Sequence, residues 1–564
     1  MTGVNTSQWL EAACCALRAG PDAELAACVE STIDLLGRLQ REDGYLNSWF
    51  IMVQPERRWT NLRDEHELYC AGHLMEAAVA HHAATGSRRF LEMLCRYADH
   101  IASVFGTGPG QKRGYPGHEE IELALVKLHH ATGQPRYLDL ARYFVDERGR
   151  QPPHYYDVEA RARGEAPGPR PRTYEYNQAH LPVRQQRTAE GHAVRAMYLY
   201  AAMTDLARQD GDRELAEASL ALWDNVCRRQ MYVTGGVGAA HHGERFTQDW
   251  DLPEESAYCE TCAAIGLVFW NHRLLNLFGD GRFADVLERA LYNGVASGVS
   301  LSGDRYFYVN PLASLGDHHR QEWFGCACCP PNLARLFASI GQYAYSQGAE
   351  AWVHLYEAGN AELEVAGRPV HLRVDTAYPW QGRVEVTVDP GVQADLALNL
   401  RLPGWCRRAR VRLNGEELEA APLTRRGYLR LARPWRPLDR VELEMDMPVE
   451  RVHAHPAVRM ANGKAALQRG PVVYCVEGAD GHPLPLSRLA LAREAGLRVE
   501  HRPEVLGGID VLRGQALCID DRGWDGILYR AAVPETRVCE LTAVPYCVWD
   551  NRQPGRMLVW LREV

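Results

Sequence analysis

Lysine is almost missing from this chain: Lys112, Lys127 and Lys464 are three of its 63 basic residues, a bias read as genome composition rather than as an arginine-based function. Basic blocks are missing too, and the net charge is −9, so nucleic acid and anionic membrane surfaces are excluded as partners. There is no run of about 18 apolar residues that could cross a bilayer. The stretch from Met1 to Gly20 has neither a basic leader nor an apolar core, so no secretory signal is read and a cytoplasmic location is expected. Phosphate-loop and nucleophile-elbow orders also fail: Gly106 to Lys112 and Gly298 to Gly303 have the wrong spacing and read as turns. What remains is an ordinary folded composition, with 46% hydrophobic and 24% charged residues and a mean hydropathy of −0.34. At 564 residues, several domains are expected, and a small neutral substrate such as a sugar suits the charge balance.

Cysteine is the residue in surplus, at sixteen. In a reducing compartment, clustered cysteines point to metal binding or catalysis more than to disulfides. Those at 14, 15, 28, 70, 95 and 227 lie in helical apolar contexts and read as core fillers.

From residue 8 to about 346 the chain reads as amphipathic helices joined by short turns. Thr85-Gly-Ser-Arg-Arg-Phe-Leu91 recurs 47 residues later as Thr132-Gly-Gln-Pro-Arg-Tyr-Leu138. Pro21-Asp-Ala-Glu-Leu25, Asp210-Gly-Asp-Arg-Glu-Leu215 and Gly279-Asp-Gly-Arg-Phe283 mark comparable junctions between helices. Serial helical hairpins with unequal spacings, and the long insertions Gln151–Arg187 and Val299–Phe324, favour a closed toroid with loops over one mouth. After about residue 350, segments such as Val384-Glu-Val-Thr-Val-Asp389 and Val441-Glu-Leu-Glu-Met-Asp446 alternate apolar and polar residues between turns. The expected organisation is a multidomain α + β chain: a helical toroid over 1–350, then antiparallel β-sandwiches over 351–452 and 453–564.

Polar residues recur where helices open. His66 follows Arg63-Asp-Glu65, His118 follows Pro116-Gly117, His192 follows Glu190-Gly191, and Glu260 opens the helix containing Cys262. In a toroid these helix starts emerge on one rim. Each histidine taken alone is as well explained as a solvated helix start. Cys259-Glu-Thr-Cys262 and Cys326-Ala-Cys-Cys329 form two Cys-x-x-Cys pairs 63 residues apart, a zinc signal. On spacing alone, a closed structural site of Cys259, Cys262, Cys326 and Cys329 competes with one that uses the adjacent pair Cys328-Cys329. Pro330 places Cys328 and Cys329 at a helix start, where the dipole and free amides favour a thiolate able to ligate or attack. Glu244, in the loop Gly243-Glu-Arg-Phe246, is a candidate acid/base; Asp249, Asp251, Glu254 and Glu255 compete with it.

Gly243-Glu-Arg-Phe246, Asp251-Leu-Pro253, Glu260-Thr-Cys-Ala263, Tyr292-Asn-Gly294, Phe307-Tyr-Val-Asn310, Trp323-Phe-Gly-Cys-Ala-Cys-Cys-Pro-Pro-Asn332 and Arg469-Gly-Pro-Val-Val-Tyr-Cys475 resemble the β-L-arabinofuranosidases of glycoside hydrolase family 127, from about Trp9 to the carboxyl terminus. The resemblance implies an (α/α)6 toroid followed by two antiparallel β-sandwich domains. It implies Zn2+ held by Glu260, Cys262, Cys328 and Cys329, a Cys328 nucleophile, a Glu244 acid/base, and sugar contacts from His66, His118, His192 and Tyr308. The implied reaction releases terminal β-linked L-arabinofuranose, or a related sugar, from an oligosaccharide or glycoside with retention. Glu260 and Cys262 diverge by about 200° on a regular helix, so they can share a metal only at an irregular first turn. Cys259 stands where a small residue such as glycine is expected. Family members usually begin with tens of further residues, so either the gene start lies upstream, the chain is trimmed, or the pocket is more open. A two-carboxylate glycosidase on the same scaffold, pairing Glu244 with Asp249, Asp251 or Glu255, and a non-catalytic carbohydrate-binding protein are the rival readings. Exposed sandwich surfaces leave room for a homodimer.

Overall fold

The repeated turns of the sequence are helix ends. Gly86, Gly133, Gly211 and Gly279 each follow a helix at φ of 72°, 69°, 66° and 59°, a left-handed conformation that glycine adopts without a Cβ penalty. At two of these turns, and at Asp22, an aspartate then restarts the chain as helix: Asp22, Asp212 and Asp280 accept from the backbone N–H of Leu25, Leu215 and Arg282. Such a stop and start reverses the chain within a few residues. The computed structural model describes residues 2–168, 173–482 and 485–564, so residues 169–172 of the Gln151–Arg187 insertion lie outside the described residues.

The hairpins so formed are α1 (Thr2–Ala19) with α2 (Ala23–Leu39), α3 (Glu67–Thr85) with α4 (Arg89–Val104), and α5 (Ile121–Thr132) with α6 (Pro135–Glu147). They continue as α7 (Ala193–Asp210) with α8 (Arg213–Asn225) and α9 (Thr261–Phe278) with α10 (Gly281–Arg289), followed by α11 (Cys329–Ala338). From α3 onward the first helix of each pair is the more buried: α7 is buried without interruption from Ala193 to Thr204. The second buries one stripe, as α4 does with Phe90, Leu91, Leu94, Tyr97, Ala98 and Ile101. α1 packs on α3, α3 on α5, α5 on α7, α7 on α9, α9 on α11, and α11 back on α1. The first helices therefore form a closed inner ring.

Within that ring lies a charge network that is buried at Arg335, Glu76 and Glu11 and half-buried at Lys127. Arg335 of α11 reaches Glu76 of α3 at 2.6 Å and Glu11 of α1 at 2.9 Å, and Lys127 of α5 also pairs with Glu76. Removing one partner of such a set strands the other charges in a dry interior. Arg335→Met is expected to lower stability by about 3–5 kcal/mol, read as a fall in the unfolding midpoint of the helical region.

Beyond residue 345 the chain is β-rich. A six-stranded sheet runs Gly359–Val365, Arg368–Thr376, Arg383–Asp389, Asp439–Met445, Ala409–Leu413, Glu416–Leu418 in neighbour order, and a five-stranded sheet is built on Ala394–Arg401 and Tyr428–Trp435. Val370, Leu372, Val374, Val384, Val386 and Val388 from the first meet Leu398, Leu400, Leu429 and Trp435 from the second in one apolar core, the inward half of the alternating pattern. A ten-stranded sheet follows, and Val449–Val452 belongs to it, paired with Lys464–Arg469. This last sheet reaches back to the helical region: Ala313–Ser314 pairs with Met557–Leu558, and Phe307 stacks on Trp549 with ring centres 4.8 Å apart. No helix among the described residues is long and apolar enough to cross a membrane.

Candidate active site

Five of the inner helices, α3, α5, α7, α9 and α11, open close together, and their openings carry the polar residues singled out above. His66, His192, Glu260 and Cys328 are the capping residues of α3, α7, α9 and α11; His118 lies two residues before the cap of α5. Two glycines bring the histidine segments in. A Cβ on Gly117 would stand 2.1 Å from the Arg63 carbonyl oxygen, and one on Gly191, at φ 73°, would stand 1.8 Å from that of Glu175. The rings then line up, His66 to His118 at 5.9 Å and His118 to His192 at 5.6 Å. Burial, with the Arg195 cation next, holds His118 well below the usual imidazole range. Its Nδ1–H donates to the Glu119 carbonyl at 2.9 Å, which leaves Nε2 as an acceptor for a hydroxyl.

Next along the rim lie the sulfurs. The Cys262 Sγ is 3.4 Å from that of Cys329 and 3.6 Å from that of Cys328, and Cys328 and Cys329 are 3.9 Å apart. Glu260 Oε1 sits 3.5 Å from Cys328 Sγ and 3.8 Å from Cys329 Sγ. The irregular first turn required for Glu260 and Cys262 is present. Glu260, at φ −58° and ψ 136°, lies extended just outside α9, and its peptide pairs with Val309. Cys259 stays out of the cluster. At φ 40° it occupies the left-handed region that favours glycine and packs into an apolar cluster with Ala257 and Phe307. Cys326, half-buried, interacts with Cys328 but is not one of the four groups whose ligand atoms converge.

The electrostatics are those of a cation site. Burial, then the Cys328 and Glu244 charges, push the Glu260 carboxyl well above its ordinary range, and Glu260 Oε2 is buried without a hydrogen-bond partner. Burial also pushes the Cys262 thiol up, but hydrogen bonds from Cys328 and Cys329 overcome it and bring Cys262 to about 6. Glu260, Cys262, Cys328 and Cys329 place one ligand atom each within 4.8 Å of the others and could hold a metal ion.

Glu244 completes the rim. It follows Gly243 in a left-handed turn, at φ 51°, and its carbonyl accepts from Ala193 N at 2.9 Å, which ties the loop to the first turn of α7. His192 Nε2 lies 2.5 Å from Glu244 Oε2, and Tyr258 adds a second hydrogen bond. Burial pushes the Glu244 carboxyl up, yet the His192 and Tyr258 hydrogen bonds, helped by the His192 and Arg195 charges, hold it below the usual range. The Tyr308 hydroxyl lies 3.2 Å from Cys328 Sγ. The competing carboxylates are engaged elsewhere: Asp249 with Arg229 at 2.9 Å and Glu254 with Lys464 at 2.7 Å. Asp251 and Glu255 are not among the groups that gather at the cluster.

Sequence reasoning missed Tyr69, whose ring lies 4.1 Å from that of His118, as well as Tyr258 and Arg195. None stands in a distinctive motif; the spacing of Arg195 three residues after His192 is the one signal that could have placed it on the same face.

Imidazoles and a phenol at a rim suit a substrate dense in hydroxyls, and a carboxylate beside a sulfur offers the proton transfer and the nucleophile needed to open an acetal. The chain is a glycoside hydrolase. Residues 1–342 match the GH127 catalytic domain of β-L-arabinofuranosidases, 350–447 the GH127 middle domain, and 449–562 the C-terminal domain of glycoside hydrolase family 127. The chain belongs to that family. It is 38% identical to the non-reducing end β-L-arabinofuranosidase of Bifidobacterium longum subsp. longum, over 99% of this chain and 88% of that protein. A GH127 β-L-arabinofuranosidase from Geobacillus stearothermophilus T6 superposes with a TM-score of 0.97 at 50% identity, covering 99% of this chain and 90% of that one. A further GH127 β-arabinofuranosidase gives 0.90 at 38% identity, over 99% and 88%.

Proposed function

We propose that this protein removes terminal β-linked L-arabinofuranose, or a closely related sugar, from oligosaccharides or glycosides with retention, using Cys328 as nucleophile and Glu244 as acid/base. The observation that carries the reading is the cluster of three sulfurs and one carboxylate with Cys328 half-buried at the rim and its two partner sulfurs buried. Zinc fits the cluster. Tetrahedral bonds of about 2.3 Å to sulfur set sulfur–sulfur edges near 3.8 Å, and the edges here are 3.4, 3.6 and 3.9 Å. Glu260, Cys262, Cys328 and Cys329 would hold it, and the orphaned Glu260 Oε2 faces a need that a cation meets. Zinc, when bound, supplies the charge that keeps these sulfurs ionised at neutral pH.

The residues then divide the work. Cys328 Sγ attacks the anomeric carbon as the glycosidic C–O bond breaks, and Glu244 hands the proton it shares with His192 Nε2 to the departing oxygen. His192, hydrogen-bonded to Glu244, holds that carboxyl in place. The sugar is then carried on Cys328 as a thioglycoside. Glu244, now a carboxylate, takes a proton from water, the water oxygen attacks the same carbon, and the C–S bond breaks. Two displacements on one carbon give net retention. His66, His118 and Tyr308 would fix the sugar hydroxyls.

The scaffold proposed around this chemistry is an (α/α)6 toroid followed by two β-sandwiches, supported by the return of α11 to α1 and by the core shared between two sheets. The toroid is placed over 1–350, and the last domain is taken to open at Val449 rather than at 453, because Val449–Val452 pairs within the last sheet. Sixteen free cysteines support a reducing compartment such as the cytoplasm. Exposed Leu528, Tyr529 and Val533 on the last β-rich region support a homodimer.

A screen of aryl furanosides and pyranosides on zinc-loaded protein tests the reading, with product configuration followed by NMR. Turnover of a β-L-arabinofuranoside to the retained anomer is expected. No turnover of any glycoside would favour a carbohydrate-binding protein instead. Cys259→Gly tests the ligand set: the variant relieves a left-handed cysteine outside the cluster, so zinc content is expected to stay at one per chain and kcat within about 2-fold. Loss of the metal would place Cys259 in the shell.

A further inference from the structure

We propose that the cavity where the helical region meets the last sheet is a second binding site, which takes a sugar-sized molecule bearing a carboxylate or phosphate against Arg289, with Trp250 and His455 as its wall. The cavity measures about 310 Å³, at the low end for small-molecule sites and enough for one sugar ring. It lies between the chain that leaves α8, the end of α10 and the segment that follows Val449–Val452. Neither Glu244 nor Cys328 lines it, so its occupancy can be tested whatever the sulfur cluster does.

The charge around the cavity is one-sided. Among the described residues no carboxylate lines it, whereas three arginines and two histidines do. Arg228, Arg229 and His453 each have an acid of their own, Asp224 at 2.9 Å, Asp249 at 2.9 Å and Glu563 at 3.1 Å. Arg289 makes no ion pair among the described residues. Both of its hydrogen bonds leave from Nη1, to the Val233 carbonyl at 2.8 Å and to Gln468 Oε1 at 3.2 Å, so Nε and Nη2 have none. The acids nearest it on α10, Asp285 and Glu288, are both engaged by Arg401, Asp285 at 2.8 Å. Burial works against this guanidinium and lowers it from its ordinary range, yet arginine keeps its charge in a protein. An oxyanion in the cavity supplies the counter-charge and the acceptors that Nε and Nη2 lack.

The wall is an independent sign. Trp250 sits at φ 69°, in the left-handed region where a bulky side chain is an outlier, and such strain gathers at binding sites. Its N–H donates to the Arg229 carbonyl at 2.9 Å, which fixes the turn. The indole lies nearly flat on the His455 ring, centres 4.2 Å apart and planes 18° apart. A loop that only closed the surface would be relieved by glycine at this position; here the strained backbone presents an aromatic ring instead. Stacked rings beside one unpaired cation make an apolar face with a single charged anchor, the make-up of a small-molecule site.

Calorimetric titration of the full-length protein with D-glucuronate, glucose 6-phosphate, glucose and inorganic phosphate tests the site. One of the two acidic sugars is expected to bind at one per chain, and which one identifies the oxyanion; glucose and inorganic phosphate are expected to bind more weakly. Arg289→Met keeps the apolar stem and is expected to weaken that binding about 10–100-fold, the scale of a lost charge-assisted hydrogen bond. His455→Ala, at an exposed position, removes half of the wall, is expected to weaken binding by a smaller factor, and serves if Arg289→Met fails to accumulate. Binding of neither acidic sugar, or wild-type affinity in the variants, would overturn the site. Glucose or inorganic phosphate binding as tightly as the acidic sugars would overturn the assigned ligand class.

Discussion

Cys328→Ser should lower kcat on an aryl β-L-arabinofuranoside by about 10^4-fold or more, the scale of losing a nucleophile that acts as one unit with its partners. Serine keeps the size and the place at the start of α11 but offers a hydroxyl, which the helix terminus cannot ionise near neutral pH. Because Cys328 is also a proposed ligand, metal content has to be measured on the same sample. Turnover that survives in a zinc-loaded variant would sink the sulfur mechanism and favour a two-carboxylate scheme. A second readout needs no variant. Cys328 is half-buried at the rim whereas Cys262 and Cys329 are buried, so an alkylating agent is expected to label Cys328 first, and bound sugar to protect it.

Glu244→Gln should cost about 10^2–10^4-fold in kcat, the usual contribution of a general acid/base. The loss is expected to depend on the leaving group. An activated phenol departs without a proton, so sulfur attack continues, while water left without a base reacts slowly; the protein then accumulates as a covalent adduct heavier by one sugar residue. Azide, which needs no base, should restore turnover and give a glycosyl azide of the substrate's own configuration. Activity within about 10-fold of wild type, or an absence of both adduct and rescue, would remove Glu244 from the role.

Much of this was legible before any coordinates. A glycine that stops a helix and an aspartate that starts the next carry their own conformational preferences, so the hairpins at Gly86, Gly133, Gly211 and Gly279 could be read locally. So could the gathering of helix starts, because serial hairpins leave alternate ends on one side. The choice among thiols could not. Two Cys-x-x-Cys pairs nominate Cys259 and Cys326 as readily as Cys262 and Cys329, and what decides is a backbone twist, the left-handed Cys259 followed by the extended Glu260. No residue pattern at that point announces it. The charge network was equally hidden: Arg335 meets Glu11 across 324 positions of sequence, a contact that exists only because the last inner helix returns to the first.

The way the rim is braced has a consequence for how the molecule comes to work. Tyr308 hangs on a segment whose neighbours are held from the far end of the chain: Phe307 lies on Trp549, and Val559 N donates to the Leu312 carbonyl at 2.9 Å. The inner ring closes with α11, more than 200 residues before Val559 in the chain. The segment beside Cys328 takes its brace from those later strands. The proposed site therefore draws on both regions, and a chain folded no further than α11 would hold Cys328 without the brace on Tyr308.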